Sequence, residues 1–321
     1  MSDRGPGPSA APLPPFDLAL RVGHRRDHTY EDYLATGRRL HDAIVAALPT
    51  DWTFPGKRVL DFGCGAGRSL RHFLDVAETA EIWGCDIDAD SVEWVRRNLS
   101  PPLRCFRNRA TPPLEVEEGY FDLVWAMSVF THIDEGWADW LLEIHRVLAP
   151  GGLLVSSYMG PGTFERFVDE PYREDEVGML VRHHGRALRD GGALVFHSEW
   201  WLRAHWGRAF DILEVRRPGP GKDASAIAHC VLLARRRESA PTPAALDRID
   251  DADPREAAAL RTQVRMLRVE LEGARAEAGR GLRSLARRAG RLLARTALGP
   301  PARRLRRRLR GAMRSAKGAG G

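Results

Sequence analysis

The amino-acid sequence predicts an α/β fold, in which a doubly wound, seven-stranded sheet carries helices on both faces and a basic helical tail follows. Three observations lead to this class. Short apolar segments alternate with amphipathic ones over residues 30–236, as expected when helices connect parallel strands. A glycine-rich turn follows the first apolar segment, at residues 59–68. Basic residues are concentrated in the last part of the chain, residues 255–321.

The net charge of +6 conceals an uneven distribution along the 321 residues. Residues 255–321 contain 19 lysines and arginines against 4 acidic residues, a net charge of +15. The preceding part of the chain therefore carries a net charge of −9. Because the central region is mildly acidic, the overall basic character is no indication that this region binds nucleic acid.

Cysteine usage and hydropathy predict a cytoplasmic protein. The four cysteines are widely separated and form no C-x-x-C pair, which indicates neither a zinc site nor a disulfide framework. Residues 1–28, rich in Pro, Gly and Ala, are predicted to be disordered and do not resemble a signal peptide. We find no apolar run of the roughly 20 residues needed to span a bilayer.

The central motif of the chain is the segment at 59–68. An apolar run reaches Asp61 and is followed by glycines at alternate positions, which predicts a buried strand and then a tight turn. A helix is predicted from Ser69 to about Val76. Such a turn allows a ligand to approach the backbone, and the helix N-terminus favours a polar or anionic group. The motif therefore indicates a nucleotide-type site.

The glycine spacing narrows the type of ligand. Gly63, Gly65 and Gly67 give the pattern G-x-G-x-G, whereas a dinucleotide-binding turn would need a glycine at the position of Arg68. A phosphate-binding P-loop is excluded because no Gly-Lys-Ser/Thr follows the turn.

Three further motifs follow in order. A strand at 81–86 ends at Asp86, where a carboxylate can accept hydrogen bonds from both hydroxyls of a ribose. A fourth strand at 120–127 is followed by the loop 128–134, which should face a ligand at the carboxyl edge of the sheet. The segment 146–155 predicts a helix end, a Pro-Gly-Gly turn and a fifth strand.

Together these four motifs resemble those of the class I S-adenosylmethionine-dependent methyltransferases, over about residues 30–236. The resemblance implies a Rossmann-like sheet of order 3-2-1-4-5-7-6, with the last-numbered strand antiparallel, in a domain at 29–237. It also implies S-adenosylmethionine as the cofactor. The phrases S-V-F-T-H after strand four and F-H-S before strand six are similar to those of a bacterial group of small-molecule or glycan methyltransferases.

The same resemblance implies a set of cofactor-binding residues that lie at the ends of the first four strands. The set comprises Asp61, Gly63, Gly65, Gly67, Asp86, Asn108 and Ser128. No metal site is predicted, since no cluster of carboxylates of the kind that holds magnesium is evident.

Methyl transfer to a hydroxyl requires a base that removes the proton as the new bond forms. His132, in the loop after strand four, is the first candidate, because imidazole titrates near neutrality. His197 is a weaker candidate, and Glu199 is a third. For the two histidines a structural role is the alternative. His132 would then hold its loop through a hydrogen bond, and His197 would pack at the start of a helix.

Two features bear on the acceptor. Enzymes that methylate amino groups of nucleic-acid bases usually carry Asn/Asp-Pro-Pro-aromatic after strand four, and this chain has Ser128 to Thr131 there. Residues 160–195 are expected to form an insertion that covers the acceptor. The predicted function is transfer of a methyl group to a hydroxyl of a small molecule or sugar; the alternative is a catalytically silent adaptor that binds membrane or nucleic acid.

The tail follows a predicted linker at 238–254. Apolar residues at alternate spacings of four and three over 260–292 predict a helix that associates with itself or with a partner. At 303–310, leucines lie among arginines, which is typical of a helix on an anionic membrane and predicts a peripheral location at the inner face. Nucleic acid is a less favoured partner because the tail has no aromatic residue for stacking on bases. The other alternative is a solvated tail that binds no partner.

Overall fold

The computed structural model describes residues 11–21, 29–183, 192–218 and 229–295. The chain forms two compact units, residues 1–264 and residues 265–321. The first unit contains every strand in the described residues, and the described part of the second unit belongs to the long C-terminal helix.

Seven strands form one sheet, and two more form a small sheet of their own. The strands are β1 (Arg58–Phe62), β2 (Glu81–Asp86), β3 (Arg104–Arg107), β4 (Phe121–Ala126), β5 (Leu148–Tyr158), β6 (Met179–Arg182), β7 (Leu194–His197), β8 (Phe210–Arg216) and β9 (Cys230–Arg236). The large sheet has the order β3-β2-β1-β4-β5-β9-β8. β9 runs antiparallel to both of its neighbours, and the other pairs are parallel. This arrangement confirms the predicted fold class.

Eight α-helices accompany the strands in the described residues. They are α1 (Phe16–Leu20), α2 (Tyr30–Ala47), α3 (Ala89–Asn98), α4 (Trp137–Val147), α5 (Pro161–Val168), α6 (Glu199–His205), α7 (Pro243–Asp247) and α8 (Pro254–Arg295). The N-terminus of α3 is capped by Asp88, whose side chain accepts a hydrogen bond from the Ser91 N–H. No helix in the described ranges is both long and apolar enough to cross a membrane.

The central strands are buried on both faces, which explains their continuous apolar sequences. In β4, Leu123, Val124 and Trp125 are all fully buried. Val124 belongs to the hydrophobic cluster on one face, and its two neighbours belong to the cluster on the other. Trp125 stacks on Phe73 with ring centroids 4.5 Å apart.

Two local predictions near the sheet were wrong. The segment after the glycine turn forms two short 3-10 helices, Leu70–Phe73 and Val76–Glu78, instead of one α-helix. α2 packs closely over this segment, since a Cβ on Gly37 would lie 2.2 Å from the Arg68 carbonyl oxygen, and such tertiary contacts override local propensity. The Pro-Gly-Gly segment is an irregularity within β5, where the register with β4 shifts.

The chain before the first strand is more ordered than predicted over residues 11–21. These residues include α1, in which Leu18 and Ala19 are buried. The Arg71 guanidinium donates hydrogen bonds to the carbonyl oxygens of Ala11, at 2.5 Å, and Pro12, at 3.0 Å. The remaining residues of the predicted disordered segment lie outside the described residues.

The F-H-S phrase begins as a strand and not as a helix, because Leu194–His197 pair with β6. Ser198 caps α6, and its hydroxyl accepts a hydrogen bond from the Trp201 N–H at 3.3 Å. The predicted insertion at 160–195 contains α5, β6 and the start of β7, and part of it lies outside the described residues.

The predicted linker at 238–254 contains the docked helix α7. Leu246 is fully buried there, and Arg208 donates hydrogen bonds of 2.7–2.8 Å to three backbone carbonyl oxygens of this segment. His205 Nδ1 lies 2.7 Å from the Leu246 oxygen, and His205 Nε2 lies 2.9 Å from a Glu256 carboxylate oxygen. The sequence predicts a linker at 238–254 because the segment is short and rich in Pro and Asp, and its single leucine gives no periodic apolar pattern.

α8 extends through the region predicted to be a basic helix. Leu260 and Val264, two residues of the predicted apolar seam, are about half exposed. Self-association through this seam stays a prediction, and the arginine- and leucine-rich segment at 303–310 lies outside the described residues.

Replacement of Leu246 should destabilise the fold. We expect Leu246→Ala to lower the free energy of unfolding by about 2–5 kcal/mol, because a fully buried leucine leaves a cavity. The measurement is urea denaturation of the full chain. Leu213→Ala, at a position that is 42% exposed, is the control and should cost less than about 1 kcal/mol. Equal effects of the two substitutions would contradict the docking of α7.

Candidate cofactor and acceptor site

The glycine turn lies at the carboxyl end of β1 and has a backbone that side chains would obstruct. Gly63 and Gly67 have φ angles of +83° and +76°, in the left-handed region that favours glycine. A Cβ on Gly63 would lie 2.4 Å from Val129 Cγ2, and one on Gly67 would lie 2.9 Å from Leu99 Cδ1. The turn is therefore closed on its protein side by the loop after β4 and by α3.

Asp86, the last residue of β2, is tied to the glycine turn. One carboxylate oxygen accepts a hydrogen bond of 2.7 Å from the Gly65 N–H, and the other accepts one of 2.8 Å from the Asp88 N–H. Burial raises the pKa of Asp86, while these backbone donors act in the opposite direction. The carboxylate thus has a fixed orientation at the edge of the sheet.

Asp61 lies in β1 directly before the turn and is only 1% exposed. Its carboxyl group accepts a hydrogen bond of 2.7 Å from the Ser69 hydroxyl. The pKa of Asp61 is raised to about 7, mainly by burial; the Ser69 hydroxyl acts to lower the pKa, and the nearby Asp86 carboxylate acts to raise it. Burial therefore favours the protonated form of this carboxyl group.

A cavity of about 560 Å³ opens beside the ends of β2 and β3, and its lining includes Ile87, Asn108 and Pro113. The Asn108 amide nitrogen donates to the Arg109 carbonyl oxygen at 2.8 Å. Its side-chain oxygen is buried and has no hydrogen-bond partner among the described residues. A buried acceptor without a partner is costly, which makes this oxygen suited to receive a hydrogen bond from a ligand.

The loop after β4 is held by hydrogen bonds to β5. Ser128 has a φ angle of 64°, which is unusual for a residue other than glycine and often marks a functional site. Its backbone N–H donates to the Ser157 hydroxyl at 2.7 Å, and its own hydroxyl lies 3.5 Å from that of Thr131. The backbone of this loop is thereby fixed at the carboxyl edge of the sheet.

His132 lies in the same loop and is partly buried. Its ring is oriented by Ala193, the residue directly before β7. Nδ1 lies 2.8 Å from the carbonyl oxygen of Ala193, and a carbonyl can only accept a hydrogen bond. Nδ1 therefore carries the proton, and in the neutral ring the lone pair is on Nε2. This is the tautomer that a base acting through Nε2 requires.

The other two base candidates are placed differently. His197 is 1% exposed, and its ring centroid lies 5.3 Å from that of Trp201 and 6.1 Å from that of Trp206. Burial lowers the pKa of His197 to about 3, so its ring is neutral and enclosed. Glu199 forms ion pairs with Arg203 and Arg217, at 2.9 Å and 3.3 Å.

His229, directly before β9, was missed by the sequence analysis. Its Nδ1 lies 3.5 Å from the Ser157 hydroxyl, which also binds the Ser128 N–H. The pKa of His229 is lowered to about 4, mainly by burial and to a smaller extent by His132 and Arg68. No motif marks this histidine, because only the antiparallel pairing of β9 with β5 brings it beside the loop after β4.

The sheet order, the glycine turn and the carboxylate at the end of β2 define the class I S-adenosylmethionine-dependent methyltransferases. A family model described as a methyltransferase domain matches residues 59–152. Residues 59–152 thus match a methyltransferase domain, and S-adenosylmethionine is its cofactor.

Curated relatives match over the same part of the chain. A malonyl-[acyl-carrier protein] O-methyltransferase of Geobacter sulfurreducens is 31% identical over 146 residues, covering 44% of this chain and 53% of the relative. Phthiotriol/phenolphthiotriol dimycocerosates methyltransferase 1 of Mycobacterium ulcerans is 27% identical over 148 residues, covering 46% of this chain and 50% of the relative. The chain therefore spans about half the length of these curated relatives.

Among solved structures, a putative S-adenosylmethionine-dependent methyltransferase from Listeria monocytogenes superposes with a TM-score of 0.49 and 18% identity. The superposition covers 64% of this chain and 99% of that protein.

The residues at this edge of the sheet fit the cofactor. The glycines of the turn have no side chains to cover its backbone, Asp86 offers a fixed carboxylate, and Asn108 offers a buried oxygen with no partner among the described residues. In the described ranges, no group of three or more His, Cys, Asp or Glu residues is arranged to hold a metal ion.

The raised pKa of Asp61 predicts that this residue destabilises the folded state at higher pH. An unfolded aspartate ionises near pH 4, while folded Asp61 ionises near pH 7, so the native state binds more protons between these values. Its contribution to stability should fall as pH rises from about 4 to 7 and be constant above that, by up to about 4 kcal/mol.

Urea denaturation at pH 5 and pH 8, on wild type and on Asp61→Asn, measures this effect. The difference in unfolding free energy between the two proteins should shift in favour of the asparagine variant at the higher pH. The same difference at both pH values would mean that the Asp61 pKa is not raised.

Proposed function

We propose that this protein transfers a methyl group from S-adenosylmethionine to a hydroxyl of a small-molecule or sugar acceptor. The observation that carries the proposal is His132, whose Nδ1 bond to the Ala193 carbonyl leaves its lone pair on Nε2. His132 belongs to the loop after β4, which begins at Ser128, and β4 is paired with β1 in the sheet.

Cofactor roles are assigned from the geometry of that edge. Gly63, Gly65 and Gly67 would let the cofactor pass close to the backbone, and Asp86 would accept hydrogen bonds from the ribose hydroxyls. Asn108 would receive a donor of the adenine ring in the adjoining cavity.

Two further cofactor contacts are proposed on the methionine side. Asp61, beneath the turn, would interact with the charged amino group of the methionine part, and Ser128 would contact the cofactor from the loop after β4.

When bound, S-adenosylmethionine supplies an electrophilic methyl group on a sulfonium, which is already an excellent leaving group. The chain therefore has to align the acceptor and remove its proton. His132 would accept the hydroxyl proton on Nε2 as the acceptor oxygen bonds to the methyl group. His197 and Glu199 are less suited to this role, because the first is enclosed by indole rings and the second is ion-paired.

An oxygen acceptor agrees with the names of two relatives, both malonyl-[acyl-carrier protein] O-methyltransferases. The sugar part of the proposal rests on the similarity of the S-V-F-T-H and F-H-S phrases to those of glycan methyltransferases. Residues 160–195, which include α5 and β6, are proposed to cover the acceptor.

The tail is proposed to bring this domain to its acceptor at the inner face of a membrane. After Ala278 the sequence has 14 lysines and arginines and no acidic residue, which suits an anionic lipid surface. The half-exposed Leu260 and Val264 support a second proposal, pairing with another copy of α8. Nucleic acid is the less favoured partner.

Asp86→Asn should weaken the binding of S-adenosylhomocysteine by roughly 10- to 100-fold, because the amide cannot accept from both ribose hydroxyls and the turn with equal strength. The measurement is calorimetric titration of the full chain. Asp90→Asn, at an exposed carboxylate in α3, is the matched control and should bind like wild type. Equal affinities in all three proteins would remove Asp86 from the cofactor site.

His132→Gln should lower kcat for methyl transfer by roughly 10²- to 10⁴-fold, because the amide cannot take the hydroxyl proton. Radiolabelled S-adenosylmethionine and a panel of alcohols, phenols and methyl glycosides give the rate, while calorimetry should show unchanged cofactor affinity. His41→Gln, in α2, whose ring packs on Phe73, is the control. An unaffected rate would disprove the role of His132, and cofactor binding without transfer to any acceptor would favour the silent adaptor.

A further inference from the structure

Three polar groups at the junction of β5, β9 and the loop after β4 form a chain of hydrogen bonds. The Ser128 backbone N–H donates to the Ser157 hydroxyl oxygen at 2.7 Å. The same hydroxyl lies 3.5 Å from Nδ1 of His229. Ser157 is fully buried, so its hydroxyl proton requires an acceptor inside the protein.

These hydrogen bonds determine which ring nitrogen of His229 carries the proton. Because the Ser157 oxygen already accepts from Ser128, the arrangement that also satisfies the hydroxyl proton has Ser157 donating to Nδ1. The proton of the neutral imidazole is then on Nε2. His229 is therefore the opposite of His132, in which Nδ1 carries the proton and Nε2 the lone pair.

Burial lowers the pKa of His229 and His132 contributes to the same shift, so the His229 ring is neutral at physiological pH. Both are anchored to the same loop: His132 belongs to it, and His229 reaches it through Ser157. The two tautomers thus give this loop one ring whose Nε2 carries a lone pair and one ring whose Nε2 carries a proton.

We propose that His229 is a second acceptor-binding residue, whose Nε2–H donates a hydrogen bond to the acceptor oxygen while Nε2 of His132 receives that oxygen's proton. This inference rests on the proposed function and specifies its acceptor. A hydroxyl has one proton and two lone pairs, so it can donate to His132, accept from His229 and still direct a lone pair at the methyl group.

The arrangement selects oxygen over nitrogen. A neutral amine has a single lone pair, which cannot both accept from His229 and form the new bond. A primary amine that accepts the hydrogen bond from His229 Nε2–H has no lone pair left to attack the methyl group. A primary amine that attacks the methyl group leaves the buried His229 Nε2–H without an acceptor. The donor–acceptor pair of histidines accordingly favours an alcohol over an amine of the same skeleton.

The tautomers can be tested without an acceptor. The full chain is labelled with ¹⁵N-histidine, and long-range ¹H–¹⁵N correlation spectra distinguish Nδ1–H from Nε2–H rings; His132→Gln and His229→Gln assign the signals. We expect His229 as the Nε2–H tautomer and His132 as the Nδ1–H tautomer. Ser157→Ala should abolish the preference of His229, while Ser156→Ala, on the same strand, should keep it. A His229 ring protonated at Nδ1, or one indifferent to Ser157→Ala, would overturn the inference.

The kinetic test compares matched acceptors, such as phenol with aniline and a methyl glucoside with the corresponding glucosamine. His229→Ala should raise KM for the hydroxyl acceptor roughly tenfold and reduce the preference for oxygen over nitrogen. His229→Gln, which retains an N–H donor, should restore much of both. Unchanged S-adenosylhomocysteine affinity in these variants excludes misfolding.

The outcomes separate the two proposals. Wild-type protein that methylates none of these acceptors while the predicted tautomers are observed would contradict the proposed function alone. Wild-type transfer to hydroxyls that is indifferent to His229→Ala would contradict the role of His229 alone.

Discussion

The hydrogen bond from the Gly65 N–H to the Asp86 carboxylate is the constraint on which the site depends. It joins the ends of β1 and β2, in a turn where a side chain at Gly63 would collide with Val129 and one at Gly67 with Leu99. The second oxygen of Asp86 accepts from Asp88, which in turn caps α3. A single carboxylate thus sets the position of the glycine turn and the start of the next helix.

Much of this arrangement could be predicted from the sequence, because its determinants are local. The apolar runs of β1, β2 and β4, the cap at Asp88 and the carboxylate at Asp86 each follow from a few adjacent residues. What could not be predicted depends on residues distant in sequence. The 3-10 turns after the glycine segment are imposed by α2, and the docking of α7 depends on Arg208, about 40 residues before it.

In the candidate site, too, some features follow from adjacent residues and others depend on residues distant in sequence. His132 is recognisable because it follows a strand in a phrase typical of its family, but the tautomer of its ring depends on Ala193, 61 residues away. His229 has no recognisable sequence context at all, since its place is determined by the antiparallel insertion of β9 between β5 and β8. The last strand of the sheet therefore contributes a group that sequence patterns cannot reveal, because a pattern records neighbours along the chain and not across it.

The buried pair of His205 and Glu256 has a consequence for where this domain ends. The carboxylate belongs to the first turn of α8, while the imidazole stacks on Trp201 inside the domain. A protease cut or an engineered truncation after the last strand would remove Leu246 and Glu256 together and leave hydrophobic and polar surfaces exposed to water. A fragment that keeps these buried contacts must therefore include the first turn of α8.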